Sequence, residues 1–448
     1  MRPSDSGITG GDPSPGRLAG LRSGPSRRFL MGAAGASLVA PVIRPGRGGH
    51  ATAAGRQMNI ELLSDDRVLA AARPLAETAA QRSLALTPLF AGLAGRLTAR
   101  CNIVCLGDSI TEGQGADGPP SSGFENRWLA RLRDQLRSRF PTQGLTGGGR
   151  GFIGAAATGE SSFSWPATTS QPLASSTGGP KAKFLQLAAT GQAITFNLVG
   201  DSADIMWMQV PFGGTFSWAV DGGPATNVST DGNSLVDGKL THIALGAPGS
   251  HTLVLSWVSG LSNIDGVVEY DGDYSSGIQT HDAGHYGYEA SDWISALSGG
   301  AATGPAAAIA ALAPAAVIIT LGVNDQYDGV APDAYESRLR TIIGNLKARL
   351  PRPYPTFLLN MLPPRYDQKS FKYPWSQYIT AAEKVASKDK SGPGGTSVVA
   401  VFAFAGTPYM PGADTDVYGF WQEDDLVHPS NKGHQRIGDC LIEFLTMN

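Results

Sequence analysis

Residues 102–113 read Asn-Ile-Val-Cys-Leu-Gly-Asp-Ser-Ile-Thr-Glu-Gly. Asn102–Leu106 is a short, mostly apolar run stopped by Gly107. Such a run predicts a strand buried on both faces, as in a parallel sheet. Ser109 follows in a tight turn at the strand's carboxyl end, the edge where open α/β sheets place their sites. A helix starting just behind the turn would aim backbone N–H groups at an anion. A serine in this place is on its own more often a turn or cap residue than a nucleophile. Cys101 and Cys105, four apart, fall on one side of the same strand. They read as small buried hydrophobes.

Working outward, residues 60–97 carry Leu and Ala at helical spacing, with Pro74 and Pro88 expected to divide the stretch. An amphipathic helix is predicted over 124–139, with Trp128, Leu129, Leu132 and Leu136 on one face. From about Gly147 to Tyr274 the pattern changes to short alternating runs: 193–198, 204–210, 215–220, 241–245 and 251–258. Asp221-Gly222, Asp231-Gly232 and Asp237-Gly238 punctuate them as turn dipeptides, the pattern of a β-sandwich. Helical spacing returns at 290–297 and 306–312, followed by an apolar strand at 315–321. Then come a helix (332–350), a strand (356–361), a helix (374–387), a strand (397–402) and a last helix from Asn431 to about Leu445. The flanks therefore predict an α/β layer structure on a parallel sheet, interrupted by an all-β block.

The chain has 448 residues with 58 Gly and 30 Pro, 42% hydrophobic and 16% charged, at a net charge of −3. That balance argues against a nucleic-acid partner recognised through a basic surface. Three cysteines supply neither a disulfide framework nor a four-Cys zinc site. No zincin motif, zinc-like cluster or phosphate-binding Walker loop occurs, so no cofactor or metal is expected. Asp271-Gly272-Asp273 suggests calcium, but reads better as a turn.

Residues 1–53 read as an address. Arg27-Arg28 precede a weakly apolar run, Phe29–Ile43, and Ala51-Thr52-Ala53 supplies an A-x-A cleavage pattern. This order matches a twin-arginine export signal. The run is shorter than the ~20 residues that span a bilayer, which argues against a membrane anchor. Without seven arginines and two aspartates of this segment the net charge becomes −8. No later apolar segment is long enough to span, so a soluble protein, secreted or held at the cell envelope, is expected. The sequence assigns no oligomeric state.

Two further motifs follow predicted strands. Asp425-Leu426-Val427-His428-Pro429 precedes the last helix. A serine hydroxyl needs a base, and histidine titrates near neutrality. An Asp three residues earlier can fix the imidazole tautomer. The bland alternative is a surface loop. Gly322-Val323-Asn324-Asp325 follows the 315–321 strand, and an Asn amide is a neutral donor suited to a developing oxyanion. The alternative there is a plain turn.

In this order and at these strand ends, the three motifs resemble those of the SGNH/GDSL hydrolase family. The resemblance covers roughly 100–140 and 275–448. It implies a flavodoxin-like three-layer α/β/α fold and hydrolysis of esters and related acyl bonds. By that resemblance Ser109 matches the nucleophile, Asn324 the side-chain oxyanion donor, and Asp425 and His428 the acid and base. The backbone N–H of Ser109 joins the oxyanion hole. The family's second block supplies one more donor, a glycine N–H. Gly147–Gly151 and Asp282-Ala283-Gly284-His285-Tyr286-Gly287 compete for it. The second keeps the A-G-x-x-G spacing, so Gly287 is chosen, with Asp282 where the family more often has Asn.

The expected organisation is an export signal (1–53), a first hydrolase part (54–146), an inserted β-sandwich domain (147–274) and a second hydrolase part (275–448). His281, His285, Tyr418 and Trp421 are candidates to line the pocket; His242 and His251 are expected at the surface. Trp207, Phe212, Phe216, Trp218 and Trp257 lie in the β block, where period two makes some of them core. The resulting expectation is an exported esterase removing acetyl or other short acyl groups from a glycan. A lipase or small-ester hydrolase is the alternative. An acyltransferase or a non-catalytic glycan-binding protein on the same scaffold are further ones.

Overall fold

Cys101 to Gly107 are all buried, so the strand that carries them is covered on both faces and sits inside a sheet. The computed structural model describes residues 79–117, 123–142, 148–159, 164–300, 302–362, 371–404, 419–422 and 427–446. The signal expected over 1–53, Tyr418 and Asp425 lie outside the described residues.

In chain order the elements are α1 (Ala79–Gly95), β1 (Arg100–Gly107), α2 (Ser109–Glu112), α3 (Gly123–Asn126) and α4 (Trp128–Arg139). A β-rich stretch follows: β2 (Gly151–Gly154), β3 (Ala167–Thr169), β4 (Ser175–Ser176), β5 (Phe184–Leu187), β6 (Ala193–Gln209), β7 (Thr215–Val220), β8 (Thr226–Ser229), β9 (Val236–Ser259) and β10 (Ser262–Tyr270). The α/β pattern resumes with β11 (Gly277–Gly284), α5 (Ala290–Leu297), α6 (Pro305–Ala311), β12 (Ala316–Thr320), α7 (Val323–Tyr327) and α8 (Pro332–Lys347). It ends with β13 (Thr356–Met361), α9 (Trp375–Lys388), β14 (Val399–Ala403) and α10 (Asn431–Thr446).

Five strands form a parallel sheet in the order β11-β1-β12-β13-β14. This is the flavodoxin-like order, in which the chain changes direction across the sheet beside β1. Thr280 donates to the Leu129 carbonyl on α4, and Asn102 donates to the Leu312 carbonyl closing α6. These bonds leave opposite faces of adjacent strands. Helices α1, α4 and α10 cover the first face and α5, α6, α8 and α9 the second, giving three layers around one core.

The β-rich stretch is a nine-stranded antiparallel sheet. Where two runs and a turn were expected, β6 and β9 each run unbroken and pair along their length, with a register shift at Gly200/Ser202. Asp237-Gly238 therefore lies within β9 and not at a turn. One continuous sheet bends over itself. Ile194, Phe196, Phe216, Leu253 and Leu255 of one half share a core with Ile205, Trp207, Ile264 and Val267 of the other. Trp207 and Phe216 are core, Trp218 and Trp257 are half-buried, and Phe212 is exposed.

The boundary between the two parts is packed. Phe152, Met206, Val268 and Tyr270 of the β-rich stretch belong to the α/β core. Phe124, from α3, belongs to the β-rich core.

Two helix expectations change. Pro88 does not end its helix; α1 runs through it. The Thr356 hydroxyl accepts from Leu89 N–H (3.3 Å) and donates to the Ala85 carbonyl (2.9 Å), bridging the turn that proline perturbs. The helix expected over 124–139 is broken at Arg127, whose backbone is extended (φ −62°, ψ 148°). Trp128, Leu129, Leu132 and Leu136 are buried as the pattern predicts.

Candidate active site

Gly107 pairs with Gly284 on one side and with Thr320 on the other. The carboxyl ends of β11, β1 and β12 are therefore level, and the loops after them leave one edge of the sheet. These loops carry Gly287, Ser109 and Asn324.

Ser109 opens α2. Asp108 caps it: its carboxylate accepts the Ile110 N–H at 2.9 Å, and its backbone is extended. Burial pushes the Asp108 carboxyl up to about 7, aided by the charge of Asp325 and opposed by the hydrogen bond from Ile110. Gly284 lets this turn lie against β11, because a Cβ there would meet the Glu112 N at 2.3 Å.

His428 comes from the loop before α10. Its Nε2 lies 2.8 Å from Ser109 Oγ, and both residues are buried. The loop is fixed by Gln422 N–H donating to the His428 carbonyl (2.9 Å) and by a bridge between Trp421 and Pro429. His434 ties α10 to the nucleophile loop: its Nε2–H donates to the Gln114 carbonyl (3.0 Å), and its Nδ1 accepts from Trp128 N–H (3.4 Å). Burial lowers His434 to about 4, so it is neutral at physiological pH.

Asn324 sits in α7 and donates one amide hydrogen to the Tyr288 carbonyl at 3.0 Å, which fixes the plane of the amide. The neighbouring Asp325 is buried and accepts from Ala290 N–H (3.0 Å) and Arg338 (2.8 Å), joining α7 to the start of α5. Gly287 is exposed and has φ +75°, a conformation that favours glycine. Among the described residues neither the Ser109 N–H nor the Gly287 N–H has an acceptor. Of the competing Gly147–Gly151 stretch, the described residues 148–151 lead into β2 of the antiparallel sheet.

Tyr286 is exposed, and its ring centroid lies 6.4 Å from that of His428 with the planes 23° apart. His285 turns away from the site: its Nδ1–H donates to the Lys181 carbonyl (2.7 Å), and its ring stacks on Tyr288 at 3.6 Å. Burial lowers it to about 4. His281 does not line a pocket either. It is buried between the two sheets, where Nδ1 accepts from Phe152 N–H (3.2 Å), and burial lowers it to about 3. Trp421 is buried in the α/β core. His242 is exposed, and His251 is half-buried against Asp221. Asp271-Gly272-Asp273 is a turn, with Asp273 accepting from Asp271 N–H (2.9 Å). Among the described residues no group of three or more His, Cys, Asp or Glu could hold a metal ion.

Asp282 is a residue whose surroundings the sequence did not indicate. Fully buried, it accepts from Arg127 (2.6 Å) and Lys181 (2.8 Å) and from Gly284 N–H (2.8 Å). A buried carboxylate needs such partners. Only the sharing of one site by α3–α4, β11 and the β-rich stretch reveals them.

The topology and the level loops define a three-layer α/β/α protein of the SGNH hydrolase fold. The sequence model of the GDSL-like lipase/acylhydrolase family matches residues 267–436, so this part of the chain is similar to that family. Among solved structures, a peptidoglycan O-acetylesterase is similar at 15% identity and a TM-score of 0.58, over 81% of this chain and 96% of that one. That coverage exceeds what the chain holds outside 148–276, so the shared fold takes in part of the β-rich stretch. A family two carbohydrate esterase from Cellvibrio japonicus matches at 11% identity and a TM-score of 0.26, over 67% of this chain and 98% of that one. No curated protein matches the chain in sequence.

Proposed function

We propose that the chain is an exported ester hydrolase that removes acetyl or other short acyl groups from a glycan through an acyl-serine at Ser109. The observation that carries the reading is the 2.8 Å Ser109 Oγ–His428 Nε2 contact at the level edge of the parallel sheet. A nucleophile and base at this distance are poised for proton transfer. His428 takes the hydroxyl proton as Oγ bonds to the ester carbonyl carbon, and the carbonyl π pair moves onto oxygen. The Ser109 and Gly287 N–H groups and the second Asn324 amide hydrogen hold that oxyanion. The intermediate collapses, the C–O bond breaks, and the alcohol leaves with the proton from His428. Water then gives a proton to His428 as its oxygen bonds to the acyl carbon. That intermediate collapses, the acyl C–Oγ bond breaks, Ser109 Oγ takes the proton back from His428, and the acid is freed. Asp425 is assigned the task of orienting the imidazole.

Short acyl groups on a glycan are supported by the fold shared with a peptidoglycan O-acetylesterase. The exposed Tyr286 ring beside His428 also offers a flat apolar face to a sugar. The twin-arginine pattern before Phe29 supports export toward such a substrate.

Hydrolysis of acetylated glycans and of nitrophenyl esters of increasing chain length tests the reading. Wild type is expected to prefer acetate, and Ser109→Ala to lose at least about 10³-fold in kcat. Equal rates for the two proteins would remove Ser109 from the mechanism. A preference for long acyl chains would replace the glycan by a lipid. Acyl transfer to an added sugar in excess of hydrolysis would make the protein a transferase.

A further inference from the structure

Two of the residues that support the site loops come from the β-rich stretch. Glu112 closes the single turn that Ser109 opens. Its carboxylate accepts the Thr158 N–H (2.5 Å) and the Thr158 hydroxyl (2.6 Å). That hydroxyl in turn accepts the Tyr286 N–H at 2.7 Å, one residue before Gly287. Lys181 lies 3.3 Å from Glu112 and donates to Asp282 at 2.8 Å, while its carbonyl holds His285. Thr158 and Lys181 thus join the loop of the nucleophile to the loop of Gly287 by two parallel routes.

The network is balanced in charge. Glu112 and Asp282 face Lys181 and Arg127, and all four side chains are buried. Such a set resists rearrangement, because no member can lose its partner without leaving a buried charge unpaired. It holds the Glu112 end of the turn that Ser109 opens and, through Thr158, the Tyr286 N–H next to Gly287. Catalysis through a preformed hole depends on such rigidity.

We propose that Thr158 and Lys181 are positioning residues for the reaction at Ser109, so that the β-rich stretch completes the active site. The inference rests on the ester-hydrolysis reading. Thr158 is the residue to change, because it is half-buried and valine keeps its shape. Thr158→Val is expected to lower kcat on a nitrophenyl acetate by about tenfold to a hundredfold, as an about 1 Å misplacement does, with KM within about twofold of wild type. Thr158→Ser, which restores the hydroxyl, is expected to recover most of the rate. Lys181→Met is expected to lose at least as much; should it fail to fold, the Thr158 pair decides. Circular dichroism and melting establish that each variant is folded. A folded Thr158→Val protein with wild-type kcat overturns the inference while the Ser109-dependent reaction stands. Absence of Ser109-dependent turnover in wild type overturns the hydrolase reading and this inference together.

Discussion

Asp108 does two things at once: it caps α2 through Ile110 N–H, and it is buried next to the Asp325 carboxylate. In the unfolded chain it titrates at about 3.9. In the fold burial raises it to about 7. Between those values folding takes up a proton. Its contribution to stability is therefore complete below about pH 3.9 and is lost as pH rises through about 7. His281, His285 and His434 act with the opposite sign. Lowered to about 3, 4 and 4, they are neutral in the fold, and their contribution falls as pH drops below about 6.5. Comparing Asp108→Asn with wild type cancels the histidines. Asparagine keeps the cap and carries no charge. Urea unfolding at mildly acidic and at mildly alkaline pH should show the variant gaining on wild type by about 1–3 kcal/mol on going to the higher pH. A difference that does not change with pH would remove the carboxyl from the titration. At this scale the spacing of motifs pointed to Ser109, His428 and Asn324, and the structure brings Ser109 and His428 within 2.8 Å. The burial and partners of Asp325, Thr158 and Lys181 were not legible, because no local pattern tells a buried Asp, Thr or Lys from a solvated one.

At the scale of elements, the site depends on how closely α2 can approach β11. Gly284 makes that approach possible, since a Cβ would lie 2.3 Å from the Glu112 N and 2.8 Å from its Cα. Backbone atoms cannot step aside as a flexible side chain would. Gly284→Ala is expected to destabilise the fold by about 1–3 kcal/mol, as overpacking does. It should also lower kcat, because the turn carrying Ser109 must shift; melting and turnover of the one variant check both. A fully active, equally stable protein would mean that the two elements tolerate separation. Periodicity placed most helices and parallel strands of the α/β part within a few residues, since each buries one stripe or two faces. It failed where one tertiary contact overrides a local signal. Thr356 carries α1 across Pro88, and Arg127 leaves its helix to reach Asp282. The bend at Gly200 appeared in the sequence as a gap between two strands, because a strand that crosses from one half of a folded sheet to the other interrupts its own alternation.

For the whole molecule, all the described residues fall in one compact unit. Side chains of each part are embedded in the core of the other, and four buried charges straddle the boundary. The β-rich stretch and the α/β sheet should therefore unfold together. Native-state hydrogen exchange is expected to give the same global opening free energy for β6 and β12, and removal of residues 148–276 is expected to leave an insoluble chain. Two separate transitions would mean that the boundary transmits little. The sequence by itself determined the layer type, the parallel sheet with its β-rich interruption, and the three motifs. Each of these is written in local periodicity or short spacing, which depend only on backbone geometry. Only the tertiary structure decided that Gly107, Gly284 and Thr320 end level, and that Ser109 meets His428 across more than three hundred residues. It alone also brought Thr158 and Lys181 of the β-rich stretch against the loops that carry Ser109 and Gly287. Contacts between residues so far apart are set by packing and by the pairing of buried charges, and neither leaves a mark on the neighbours of a residue in the chain.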